Sequence, residues 1–235
     1  MHLRFKERKC SYKNRTDKIM KRFFLLLLVS CSIWQAQAQK MRDVFAHMPD
    51  TVLNLLTEYN RLDCIDFIEN DREAKVRNRL DGFSILQKLT KDYLRLQLTG
   101  STQVEMKLLS GKDSLEYIAL LKTYSAPAKS SVVSLYTLDW QKLPASSFLK
   151  TPDFDAFWKQ PLPTDKAEAD SVLSLKKKMD LRPVVASLSE NDESLTFTLQ
   201  PANLEEKDSI SISKRIEPVV YQWNRQKFVP SKAEE

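Results

Sequence analysis

Between Tyr93 and Thr99 the chain runs YLRLQLT, and its side chains alternate strictly: Leu94, Leu96 and Leu98 fall on one side, Arg95 and Gln97 on the other. A period of two commits a backbone to a β-strand with one apolar and one polar face. The same habit recurs, less cleanly, in VRNRL, VEMKLLS, YIALLKTYS and SVVSLYTLDW. Turn-forming breaks at Asp81-Gly82, Thr99-Gly100-Ser101 and Ser110-Gly111-Lys112-Asp113 separate these runs. Short strands joined by short turns predict an antiparallel meander with one wet face. A second group of strands is expected in PVVASLS, SLTFTLQ, SISIS, VVYQW and KFVP.

Helical spacing precedes each group. Met48-Pro49-Asp50 marks a helix start, after which Val52, Leu53, Leu55, Leu56 and Tyr59 recur at helical intervals. Beyond the polar break at Asn60-Arg61, Leu62, Cys64, Ile65, Phe67 and Ile68 form an apolar stripe, with Asp63, Asp66 and Glu69 on a polar stripe beside it. Another helix is expected from about Asp165 to Met179, with Ala167, Val172, Leu173 and Leu175 as its apolar members. Residues 145–164, bounded by Pro144 and carrying Pro152, Pro161 and Pro163, read as a linker onto which Phe154, Phe157 and Trp158 fold back. The order helix then meander thus occurs twice, and LDWQKLP, ending at Pro144, is echoed by WNRQKFVP, ending at Pro230. The fold class is therefore α+β: short helices packed on antiparallel meander sheets, in a tandem repeat of a helix-plus-four-strand unit, 39–144 and 165–235. So short an echo leaves coincidence as the alternative to duplication.

Charge has to be read by position. The whole chain carries 37 Lys/Arg against 31 Asp/Glu, a net of +6. Nine of those bases and two of those acids lie in residues 1–38, which leaves 28 bases and 29 acids beyond them, a net of −1. Residues 20–38, MKRFFLLLLVSCSIWQAQA, have the form of a secretory signal peptide: Lys21 and Arg22, an apolar run from Phe23, and an A-x-A cleavage site at Ala36 and Ala38, before Gln39. That run is shorter than the about 20 residues needed to span a bilayer. Residues 1–19 read as an upstream extension, with Met20 as the start; an unusually long n-region is the alternative. Leu28-Val29-Ser30-Cys31 also fits a lipobox, in which Cys31 would be acylated and anchor the chain to a membrane. Against lipidation, Ile33 and Trp34 continue the apolar run where a polar tether is expected. Periplasmic or secreted export is therefore expected, a membrane-anchored lipoprotein being the alternative. Without a basic stripe on the exported part, nucleic acid is not expected as a partner.

Beyond residue 38 the chain has one cysteine, Cys64, and one histidine, His47, which excludes an internal disulfide and a Cys/His zinc site. Cys64 shares the apolar stripe of its helix and has anionic neighbours, Asp63 and Asp66, so it reads as a small buried hydrophobe and not a thiolate nucleophile. All three glycines lie in the first half, which excludes a Gly-rich phosphate loop. No catalytic, metal-binding or cofactor-binding residue is assigned, and no cofactor is expected.

MRDVFAHMPD, then LLTEYNRLDCIDFIEN, then YLRLQLTGSTQVEMKLL resembles a family of exported proteins from Bacteroidales-type bacteria whose function is unknown. The resemblance covers most of the chain beyond the leader. It implies an extracytoplasmic protein of a Gram-negative envelope and brings no activity, cofactor or catalytic residue. The helix-plus-four-strand plan is also similar to tandem β-lactamase-inhibitor-like modules, a likeness of fold alone. Two functions remain. The first is a non-catalytic binding or scaffolding module that engages an envelope protein or peptide through a sheet face or edge, with Trp140, Trp158 and Trp223, and also Tyr136 and Tyr221, as interface aromatics. Packing of those rings in the core is the competing reading. The second is an exported hydrolase, whose histidine would have to be His47.

Overall fold

The computed structural model describes residues 40–231 apart from 126, 127, 160 and 162. The upstream extension, the signal segment, its cleavage residues Ala36, Ala38 and Gln39, and the alternative lipidation residue Cys31 lie outside the described residues. None of the helices among the described residues is long and apolar enough to cross a membrane.

Six strands follow one another as an antiparallel meander: β1 (Lys75–Arg77), β2 (Phe83–Leu89), β3 (Tyr93–Thr99), β4 (Thr102–Ser110), β5 (Glu116–Tyr124) and β6 (Ser130–Thr137). The register aligns the apolar alternates. Leu94 faces Met106, Leu96 faces Val104, Met106 faces Leu120, and Leu108 faces Ile118, so one face of the sheet is a continuous aliphatic surface. Helices α1 (Lys40–Ala46) and α2 (Glu58–Glu69), with the turns between them, close over it and bury Met41, Phe45, Met48, Leu53, Leu56, Cys64 and Ile65. Each such side chain contributes about 1.5–3 kcal/mol by leaving water.

A second antiparallel sheet, in the order β10-β9-β8-β7, is built from β7 (Val184–Leu188), β8 (Ser194–Leu199), β9 (Val219–Trp223) and β10 (Phe228–Pro230). It packs on the opposite face of the first sheet. There Tyr93, Leu109, Ala119, Leu121 and Leu135 join Leu188, Leu195, Phe197, Trp223 and Phe228 in a single core. Helix α4 (Lys166–Lys178) adds Val172 and Leu175 to that core, and α5 (Glu206–Ser213), between β8 and β9, adds Ile212. The segment from Pro144 to Trp158 forms α3 (Ala145–Phe148) and a 3-10 turn (Phe154–Phe157), and places Phe148, Phe157 and Trp158 inside. The two halves of the chain therefore share one core.

The molecule is α+β, with short helices and two antiparallel sheets, and it corrects the sequence reading in four places. The face expected to be wet is covered: Glu105 and Lys107 are buried beneath the second sheet. Of the helix expected through Val52–Tyr59, the part up to Leu56 is a run of turns and Glu58 and Tyr59 already belong to α2, while the first described helix lies earlier, at Lys40–Ala46. Val52 N–H donates to Pro49 O and Leu56 N–H to Leu53 O, both three residues back, because the carbonyls of this stretch are claimed by distant side chains. FSILQKL, not anticipated as a strand, is β2; a bulge between Leu86 and Lys88 breaks its alternation. SISIS is helix α5, not a strand. Of its alternating isoleucines only Ile212 is buried, and Glu206 and Asp208 in its first turn favour the helix dipole. Six strands precede residue 144 and four follow residue 165, the four being split by α5.

Candidate functional site

Helix α2 begins with a capping box. Thr57 Oγ1 accepts from Asn60 N–H, while Asn60 Oδ1 accepts from Thr57 N–H. One turn on, Arg61 points inward and only 2% of it is exposed. Its guanidinium donates to the carbonyls of Ala46, Met48 and Leu56, and pairs with Asp50 at 2.9 Å. Asp50 also pairs with Arg79 at 2.8 Å, and the hydrogen bond from Arg61 holds its carboxyl below the usual carboxylate range. From β5, Lys122 Nζ donates to Val52 O, and Arg79 N–H donates to Leu55 O. Five carbonyls of the stretch 46–56 are thus drawn inward by fixed donors. A buried guanidinium with planar, multiple donors suits this role as no aliphatic side chain could.

On this base sits a shallow groove of about 540 Å³, lined by His47, Pro49, Asp50, Thr57, Glu58 and Tyr59. Tyr59 is 81% exposed. His47 Nδ1 lies 2.9 Å from Asp43 O, which fixes its ring at the end of α1. Glu58 stands in the first turn of α2, where the helix dipole favours a carboxylate. The groove therefore offers an aromatic face, an imidazole and a carboxylate on a stiff floor. Its one aliphatic hydroxyl, Thr57, is committed to the capping box.

Other polar clusters serve as joints. Between α4 and α5, Lys178 pairs with Asp208 and Arg215 with Glu168 across a groove of about 520 Å³. Between the sheets, Glu105 accepts from Leu188 N–H at 2.9 Å and from Gln103 Nε2 at 2.9 Å, with Arg95 3.8 Å away. Arg95 and Lys88 both reach Glu190, and Lys107 pairs with Asp92. Burial raises the Glu105 carboxyl above its ordinary range and pushes the Tyr93 phenol up to about 12. Among the described residues no group of three or more His, Cys, Asp and Glu could hold a metal ion.

Cys64 is fully buried on the core face of α2, its thiol 3.8 Å from Ala74 O and pushed up to about 12 by desolvation. Of the expected interface aromatics, Trp158 and Trp223 lie in the core; Trp158 meets Phe154 edge-on, and Trp223 Nε1 donates to Ser110 O at 2.7 Å. Trp140 is half-buried at the turn after β6, with a positive φ of 60° and its ring against Tyr136. Tyr221 is buried against Phe197. Sequence reasoning did not single out Tyr59 or Arg61. The signal for Arg61 was its place three and four residues before Cys64 and Ile65, on the face that packs inward.

Comparison with known proteins agrees with this geometry at the level of fold. The chain is similar to the solved structure of a domain of an uncharacterized protein from Porphyromonas gingivalis W83, with 22% identity and a TM-score of 0.67 over 81% of this chain and 98% of that one. No curated protein matches. The family model described as "Protein of unknown function (DUF3256)" matches residues 33–228, most of the sequence, and the chain belongs to that family.

Proposed function

We propose that this chain is a non-catalytic binding or scaffolding protein of a Gram-negative envelope, working outside the cytoplasm, and that it meets its partner at the Tyr59 groove. The observation that carries the reading is the exposed tyrosine on a stiff base. A phenol ring left in water keeps apolar area available for an interface, and with two side-chain torsions it loses little entropy on docking. The loop beneath it is already ordered by Arg61 and Lys122, so little backbone freedom is lost either. Export is supported by the pattern of residues 20–38.

The experiment is crosslinking capture of the tagged protein in its own envelope, with the parent chain and Tyr59→Ala side by side. Capture of an envelope protein or peptide that falls at least tenfold in the folded variant supports the reading; equal capture sinks it. The mass of the captured chain's N-terminus distinguishes cleavage before Gln39 from acylation at Cys31. An exported hydrolase is the second reading, supported by His47 and Glu58 lining the same groove. Turnover of an envelope substrate that disappears in His47→Ala, with the fold intact, would favour it over the binding protein.

A further inference from the structure

Strand β7 pairs with β8 through its odd-numbered residues. Bonds from Gln200 N–H to Pro183 O and from Ser189 N–H to Ser194 O flank the ladder and set this phase. The amides of its even-numbered residues, Val184, Ala186 and Leu188, consequently point to the other edge of β7, to which no strand among the described residues is hydrogen-bonded. Free amides at every second residue are a template on which another strand can add. The last two are taken by side chains from the first sheet: Ala186 N–H donates to Ser131 Oγ at 3.0 Å and Leu188 N–H to Glu105 Oε2 at 2.9 Å. The two acceptors are themselves held, Ser131 by Thr123 Oγ1 at 2.8 Å and Glu105 by Gln103 Nε2.

The remaining edges are blunted differently. β1 and β10 are three residues long, and β10 ends in Pro230, which has no amide proton. On β6, Thr137 N–H and Leu135 O are used by the returning chain at Gln141 and Leu143. β7 is longer, with Ala186 and Leu188 offering donors in register at its centre and end, and there it receives a buried carboxylate, a residue whose desolvation makes it a poor choice for packing alone. We propose that Glu105 and Ser131 are an edge guard: they stand in for a neighbouring strand on β7 and keep a second copy of this chain from adding its own β7 there. A second copy is the fitting intruder because two β7 edges, related by a two-fold axis through Ser187, present donors and acceptors to each other in antiparallel register.

The guard is independent of the Tyr59 groove and is tested on the full chain. Glu105→Leu with Ser131→Ala removes both acceptors; Glu105→Gln keeps an acceptor oxygen at 105 and leaves Ser131 in place. Ser187, exposed between the guarded residues, is replaced by Cys in each background to report edge-to-edge approach. In the double variant, light scattering should show a heavier species than the unsubstituted chain, Ser187→Cys should crosslink copies, and amide exchange at Ala186 and Leu188 should rise at least 100-fold once dilution separates the copies, falling back as the concentration is raised and the two edges pair. Glu105→Gln should behave as the parent. A folded double variant with the parent's mass and no crosslink overturns the proposal. Should the double variant not fold, Ser131→Ala alone decides: at least tenfold faster exchange at Ala186 with Leu188 unchanged supports the guard, and equal rates overturn it.

Discussion

Arg61 is the residue on which the candidate site depends most directly. Its five N–H donors serve three backbone carbonyls and Asp50, and removing it strands those acceptors in the interior. Arg61→Met, similar in bulk, should cost about 3 kcal/mol or more in urea unfolding, since breaking a buried charged network by one partner is strongly destabilising. Glu105 behaves differently because burial raises its carboxyl in the folded state. The folded chain binds this proton more tightly than the unfolded one. Its contribution is therefore most favourable below the ordinary glutamate range and is lost as pH rises through the folded pKa. Glu105→Gln should lack that slope, so the parent should gain stability relative to the variant as pH is lowered from 7 towards 4.5, the ordinary value for glutamate. Chemical denaturation of both chains across that range measures it, and parallel curves would contradict the assignment. Cys64, with its thiol pushed up to about 12, should resist alkylation at neutral pH in the folded chain and react only on unfolding. Mass spectrometry after iodoacetamide treatment reads this directly.

At the scale of elements, the capping box fixes where α2 begins and so where Tyr59 stands. Thr57→Ala should lower stability by about 1 kcal/mol, with a matching loss of helix protection near Asn60 seen by hydrogen exchange. The same elements show what a sequence discloses. β3 and α4 were legible because each keeps one period along its apolar side. α2 was legible in part: its apolar stripe was visible, but its start was set too late, since Tyr59 belongs to it and not to a preceding helix. The turns at 47–56 were misread because their hydrogen-bond partners, Arg61 and Lys122, are remote, and helical spacing registers only local bonds. The alternation of β4 was visible, yet alternation cannot say what covers the polar side; the joint at Glu105 and Lys107 exists only because a later sheet folds over it. Tyr59 carried an apolar signal and lies in water, which no pattern of its own neighbours distinguishes from burial.

For the molecule as a whole, the shared core makes the two sheets interdependent. A fragment of residues 145–231 would lack Tyr93, Leu109, Ala119, Leu121 and Leu135, the floor on which β7, β8 and β9 rest. It should show no cooperative thermal transition by circular dichroism, whereas the full chain should unfold in one step. A fragment that melted sharply would mean that the second sheet has a sufficient core of its own. The same interdependence imposes an order in time. Val52 O receives Lys122 Nζ across 70 residues of chain. At synthesis rates of roughly 5–20 residues per second, Lys122 follows Val52 by about 4–14 s. The loop that carries the candidate site is thus among the earliest described parts to be made and among the later ones to be locked, and through that interval it has to be kept from wrong partners by something other than its own finished structure.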